Sequence, residues 1–394
     1  MNICVTGVGV VSAIGRNVRE NLLSLRNKQT GIGPITLFPT ELNVPAGEVK
    51  YTDHELKNLL RIPERNVVPR TALLAIAAVK EAVEDAHLDD CALRRAAFVS
   101  ATSVGGMDLS ERIYPMVREN PETADLRYMA THDCGSVTRL IAGYTGLKGY
   151  LATVSTACSS AANALMLGAR LIRAGWFDTV VAGGTDALCR FTLNGFNSLK
   201  ILDENLCRPF DKNRNGLNLG EGAGYLVLQA ETSVRRPVYC RLSGYANTNE
   251  AFHQTGSTPE GEGAFCAMQE ALRVAGLLPE QVDYVNVHGT GTQGNDLSES
   301  RALLRLFGRQ VPPFSSVKSF IGHTLGASDG IEAVYSALAI REGLLYPEIH
   351  FATPMPETGL IPVTEFKDGQ KVRCVLSNAF GFGGNDTSLV FTAP

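Results

Sequence analysis

The chain is predicted to be an α/β protein of two pseudo-equivalent halves, each running β-α-β-α-β-α-β-β. Three observations predict this. Short runs rich in β-branched residues alternate with apolar stretches of helical period along the whole sequence. The alternation restarts after Arg235-Arg236-Pro237, dividing the chain into 1–236 and 237–394. A length of 394 residues also exceeds what a single hydrophobic core usually organises. The repeat is one of architecture and not of residues, and its alternation implies mostly parallel sheets covered by helices.

In the first half, Ile3 to Val11 reads as a strand. Its end, Gly7-Val8-Gly9-Val10-Val11-Ser12, approaches a dinucleotide fingerprint, but Ser12 stands where the third glycine belongs; a tight strand exit is the expected use. Thr71 to Ala86 is a helix with Leu73, Leu74, Ile76, Ala77, Val79 and Val83 along one side, and Ala96 to Ala101 is the next strand. The polar stretch from Met107 to Asp133 receives no element, and Gly135 to Gly143 is a short helix. Thr153 to Thr156 suits a buried strand. The helix after it, with Ser159 or Ser160 as cap and Gly175 as stop, is apolar almost all round and should be buried. Thr179 to Gly184 and Gly224 to Leu228 complete the half. The second half repeats the order: strand Val238–Ala246, helix Ala264–Ala275, strand Tyr284–His288, helix Leu297–Phe307, strand Phe314–Val317, amphipathic helix Ile331–Arg341, and closing strands Val372–Asn378 and Thr387–Thr392.

Composition excludes several classes. Hydrophobic residues at 44% and charged residues at 19% describe an ordinary globular protein, and a net charge of -4 gives no basic surface for nucleic acid. No apolar run approaches the ~20 residues that cross a bilayer, and Met1 to Val11 lacks a basic leader and reads as a strand, not a signal peptide. Nine cysteines without a CxxC pair point to a reducing cytoplasm.

Four residues carry the chemistry. Cys158 is placed where a strand turns into a buried helix, whose N-terminal partial charge favours a thiolate. His288 begins His288-Gly-Thr-Gly-Thr292, and Lys318 and His323 lie in Lys318-Ser-Phe-Ile-Gly-His323. In such sheets ligands bind beyond the carboxyl ends of strands, so two packed halves would bring all four together. A lone histidine is ordinarily a structural hydrogen-bonder and a lone cysteine a small apolar filler. Together they suit acyl transfer to sulfur and stabilisation of an enolate oxygen by two neutral rings. Zinc on Cys158, His288 and His323 is conceivable, but no short metal-ligand spacing is present, so no metal is expected.

The spans Ser155-Thr-Ala-Cys158-Ser-Ser, His288-Gly-Thr-Gly-Thr292, Lys318-Ser-Phe-Ile-Gly-His323 and Asn378-Ala-Phe-Gly-Phe-Gly-Gly384 resemble those of the elongating β-ketoacyl-acyl-carrier-protein synthases of types I and II, in the right order over essentially the whole chain. The resemblance implies the thiolase-like fold, five layers (α-β-α-β-α), and a homodimer or a heterodimer with a chain-length-factor-like subunit. It implies that Cys158 accepts the acyl group, that His288 and His323 serve decarboxylation of malonyl thioester, that Lys318 supports the site and that Glu332 is a structural acid beside it. Backbone N–H groups of Cys158 and Phe382 match the oxyanion hole, and Phe382 the gating aromatic. Thr290 and Thr292 match the phosphopantetheine channel, Phe380 the substrate site, and Lys200 a contact for acyl-carrier protein; Arg61 and Arg65 are looser candidates. No metal or redox cofactor is implied. The chain departs from the family pattern at Asn295, Asp329, Asn385 and Asp386. The resemblance implies decarboxylating condensation in fatty-acid, polyketide or aryl-polyene synthesis. A chain-length factor would lack the nucleophile, and thiolases or initiating synthases lack this His/His/Lys set.

Overall fold

The computed structural model describes residues 2–394. The first half contributes strands β1 (Ile3–Ser12), β2 (Ala97–Ala101), β3 (Leu151–Val154), β4 (Thr179–Asp186) and β5 (Gly222–Ala230). The second contributes β6 (Cys240–Asn249), β7 (Tyr284–Asn286), β8 (Phe314–Ser315), β9 (Cys374–Gly381) and β10 (Asn385–Thr392). The principal helices are α1 (Arg70–Asp85), α2 (Cys134–Thr145) and α3 (Ser160–Arg173), then α4 (Glu262–Ala275), α5 (Gln293–Phe307) and α6 (Ser328–Glu342).

Both halves have the same strand order. The first runs β3-β2-β4-β5-β1 and the second β8-β7-β9-β10-β6. They join through a short antiparallel ladder in which Cys4 pairs with Arg241 and Val5 with Cys240, giving one ten-stranded sheet. As expected of mostly parallel sheets, four of the five strands in each half run the same way; the exceptions are β5, antiparallel to β1 and β4, and β10, antiparallel to β6 and β9. β9 passes into β10 through the short turn at 382–384, which reverses the chain, whereas β5 follows β4 after the long segment 187–221 that carries the helix Arg190–Ser198.

Helices α3 and α6 pack together as the central layer between the half-sheets, with α1 and α2 outside one sheet and α4 and α5 outside the other. Being central, α3 buries Ser160 to Leu165 continuously. Helix α6 is buried from Ser328 to Ile340 on every side, so it is not the amphipathic helix expected over Ile331–Arg341. Its Glu332, Ser336 and Tyr335 are instead bonded internally.

Gly7 and Gly9 lie within β1 and not at a strand exit. A Cβ at Gly9 would stand 2.0 Å from the Ala78 carbonyl oxygen, and one at Gly7 2.3 Å from that of Ala82. These glycines let α1 lie directly on the strand, a packing use of the partial fingerprint. The stretch left without structure contains a helix, Met107–Glu119, with Pro115 inside it, and a short turn of helix at Leu126–Met129. Among the described residues no helix is long and apolar enough to cross a membrane.

Candidate active site

The loop between β3 and α3 presents Cys158. Ala157 has φ 53°, a left-handed conformation that costs a non-glycine residue energy and turns the chain sharply before the cysteine. The turn is held by the Thr156 N–H donating to Ser160 Oγ (2.8 Å), while Ser160 Oγ lies 2.5 Å from the Ala157 carbonyl oxygen. Ser159 occupies the cap position, but its hydroxyl makes no cap hydrogen bond; it lies 2.6 Å from Asn385 Oδ1. Asn385 Oδ1 also accepts from Asn163 (2.9 Å) and Asn247 (2.8 Å), tying the loop after Phe382 to the helix behind the sulfur. Asn385, a departure from the family pattern, is therefore a strut of the site.

His288 stands just past β7. Its backbone N–H and that of Gly289 donate to the two oxygens of Glu299 (2.9 and 2.8 Å). Asp296 holds the following Thr290 and Gly291 N–H groups (3.0 and 3.2 Å). Asp296 and Glu299 lie three residues apart on the first turns of α5. They escaped the sequence reading; their signal was two acids at helical spacing directly after a glycine-rich loop. His323 Nδ1 accepts the Leu325 N–H (3.1 Å), which in a neutral ring places the proton on Nε2. Ser328 Oγ lies 3.1 Å from the same nitrogen.

The predicted convergence is present. One nitrogen of each histidine and Cys158 Sγ all lie within 4.8 Å of one another. The two imidazoles meet edge to face, centroids 5.4 Å apart, and Phe380 stands 5.8 Å from His288. A cavity of about 430 Å³ is lined by Cys158, His288, His323, Thr290, Thr292, Phe380, Phe382 and Lys200, and by Asn295. Lys318 and Glu332 are not in the wall but behind it, both buried. Lys318 Nζ donates to the His288 carbonyl oxygen and to Glu332 Oε1, each 2.6 Å away, and Glu332 Oε2 accepts from Asn286 (3.2 Å). Lys200 is exposed at the rim. Arg61 and Arg65 are exposed and do not line the cavity, and neither does any residue from 107 to 133. Phe382 stacks on Phe196 (5.8 Å, 20°), which belongs to a helix, Arg190–Ser198, that the sequence did not reveal.

Burial pushes the Cys158 thiol up to about 12, while the N–H groups of Phe382 and of Cys158 itself, with Lys318, pull it down. The thiolate expected from the helix start is thus offset by desolvation, and the sulfur rests as a thiol. Burial, then the Lys318 charge, holds both imidazoles well below the ordinary histidine range, so they are neutral donors at pH 7. For Lys318 burial acts downward, but the Glu332 carboxylate outweighs it and keeps the ammonium. The Cys158, His288 and His323 atoms are close enough to share a metal ion. Against that use, the Lys318 ammonium already disfavours positive charge on both rings.

Two half-sheets of one topology, with a cysteine on the loop that enters one central helix and a histidine pair on loops of the other half, define the thiolase-like condensing fold. The sequence matches Beta-ketoacyl synthase, N-terminal domain, over residues 1–233 and Beta-ketoacyl synthase, C-terminal domain, over 239–352, and the chain belongs to that family. It is 34% identical over 405 residues to 3-oxoacyl-[acyl-carrier-protein] synthase 2 of Staphylococcus aureus (strain N315), covering 99% of this chain and 97% of the relative. Among solved structures it is similar to the ishigamide ketosynthase/chain length factor, with a TM-score of 0.93, 32% identity, and coverage of 100% and 99% of the two chains. A ketosynthase in complex with its chain length factor from Xenorhabdus doucetiae is similar with a TM-score of 0.85 and 32% identity, covering 100% and 98%.

Proposed function

We propose that the protein is a condensing acyltransferase that joins an acyl group to malonyl-acyl-carrier protein, releasing CO2 and 3-oxoacyl-acyl-carrier protein. The single observation that carries this reading is the meeting of one thiol and two neutral imidazoles in one cavity.

In this reading Cys158 Sγ attacks the thioester of an acyl-carrier protein. The acyl–sulfur bond to the carrier breaks, and the cysteine proton leaves with the carrier thiol. The N–H groups of Cys158 and Phe382 hold the oxyanion of that step. Malonyl-carrier protein then enters past Thr290 and Thr292. As its carboxylate departs as CO2, the bonding pair becomes an enolate whose oxygen is held by His288 and His323, the latter through Nε2–H. The enolate carbon attacks acyl-Cys158, the new carbon–carbon bond forms, and the Cys158 thiolate leaves and regains a proton. Lys318 and Glu332 fix the His288 backbone from behind, and Phe382 with Phe380 borders the acyl side. No metal or redox group has a step here, and the substrates ride on carrier-protein phosphopantetheine.

Residues 1–236 supply the nucleophile and 237–394 the histidines and lysine. Lys200, exposed at the cavity, is the contact for the acidic carrier protein in this reading, and Arg61 and Arg65 are looser candidates. The protein works in the cytoplasm as a homodimer or beside a chain-length-factor-like subunit, in fatty-acid synthesis or in a related polyketide or aryl-polyene pathway. Mass spectrometry of Cys158 after exposure to a panel of acyl-carrier proteins is the test. An acyl adduct on wild type, absent from Cys158→Ala together with loss of 3-oxoacyl product, is expected. Normal product from Cys158→Ala would overturn the assignment.

A further inference from the structure

Asp329 has no step in that reaction, and its surroundings are unusual for a carboxyl group. It lies in the first turn of α6, 1% exposed, three residues before Glu332. Among the described residues neither of its oxygens finds a hydrogen-bond donor. One turn along the same buried helix face stands a second carboxyl group, that of Glu332. Glu332, by contrast, is supplied by Lys318 Nζ at 2.6 Å and Asn286 Nδ2 at 3.2 Å. Two buried neighbouring carboxylates repel, and they are best accommodated with one of them protonated. The donor count decides where that proton resides: Glu332 holds the ammonium, and Asp329 holds the hydrogen.

The charged neighbours act consistently with this. From its own helix Asp329 faces Glu332, and from the segment Lys318–Ile321 it feels Lys318. At the start of α3, Cys158 senses any charge on Asp329, and from α5 Glu299 acts on the same lysine. His288 and His323 sense Lys318 across the cavity. Burial and then Glu332 push Asp329 well above the ordinary carboxyl range, with Lys318 opposing.

We propose that Asp329 is a positioning residue that remains a neutral acid through turnover and donates its hydrogen to Glu332, so that the Asp329–Glu332–Lys318 set behind the cavity carries no net charge. The inference rests on the condensing reading above. An ionised Asp329 would place a negative charge beside Cys158 and beside the enolate as it forms. The neutral acid adds a donor to Glu332 without cancelling the field of Lys318.

The test compares Asp329→Asn, which keeps a donor and cannot ionise, with Asp329→Ala, in full-length protein. Asp329→Asn should condense within about threefold of wild type near neutrality, and should keep its rate at alkaline pH where wild type falls. It should also melt higher than wild type at pH 8, because the native acid must hold a proton that the unfolded chain releases near pH 4. That gap should close as pH falls towards 4. Asp329→Ala removes the donor and should slow CO2 release by about tenfold or more. A lower melting point for Asp329→Asn at pH 8 would mean a charged Asp329 and would overturn the proposal, as would an unchanged alkaline limb. If Asp329→Ala does not fold, the Asn variant alone decides. Failure of wild-type Cys158 to accept any acyl group would instead sink the condensing reading, while the melting comparison still reports the proton.

Discussion

At the scale of single residues, the site sets groups against their solution behaviour. The His288 and His323 rings are kept neutral by burial and by Lys318, so CO2 release from malonyl-carrier protein should stay level as pH falls through 6.5, where a free histidine is half protonated. Decline should begin only well below that value; a midpoint at 6.5 in the rate profile would contradict the environment described. Replacing either ring by alanine should lower CO2 release by about 100-fold or more while Cys158 still accepts an acyl group. Acylation lost with CO2 release intact would reverse the roles. Asp386 offers a second case. Both of its oxygens lack partners among the described residues, and burial, then Glu250 and Glu299, raise it to about 8. A raised native value means that stability from this group is full below pH 4 and is lost as pH climbs to 8. Asp386→Asn should therefore be more stable than wild type at pH 8 by about 1–4 kcal/mol, with the advantage fading towards pH 4 in denaturant titrations.

At the scale of elements, positions are set by close backbone approach. Gly224 of β5 lies against Gly330 of α6, and a Cβ on Gly224 would stand 2.2 Å from the Gly330 carbonyl carbon. Gly224→Ala must displace the helix that carries Glu332, so we expect a loss of about 3 kcal/mol or more by thermal melting, with activity falling alongside. Native stability and rate in that variant would show the contact to be soft. This contact was hidden in the sequence, where Gly224 merely began a strand. What was legible followed strong local signals: β-branched runs gave β1, β2 and β4 to within a few residues, and Cys158 and His288 stood out at strand ends. What was not legible had weak or conflicting signals. Pro115 and a polar composition hid the helix Met107–Glu119. The acids and serines of α6 mimicked a solvated face, because nothing local reveals that they find partners inside. The reversed direction of β5 and β10 was not marked, since a sequence run does not show which way a loop returns. In the site, Glu299, Asp296 and Asn385 act on backbone groups and on other side chains, and such roles leave no motif.

At the scale of the whole molecule, the halves are tied by a few deep contacts. Asp186 at the end of β4 accepts from Thr102 and Ser103 of its own half and from the Gly326 N–H of the other (2.7 Å). Gly326 follows Leu325, whose N–H fixes His323. Asp186→Ala leaves several buried donors unpaired, so we expect about 3 kcal/mol of lost stability and a CO2-release defect larger than the acylation defect. Equal loss of both partial reactions would show that the tie serves stability alone. The sheet joint itself is slight: among the described residues two residue pairs link β1 to β6, so alignment of the halves rests on the shared helix layer and on ties such as Asp186–Gly326. Condensation therefore works as a strain gauge. Heat, mild denaturant or a displaced neighbour that slides one half by an ångström would silence turnover while strands and helices, and the spectra that report them, still look native.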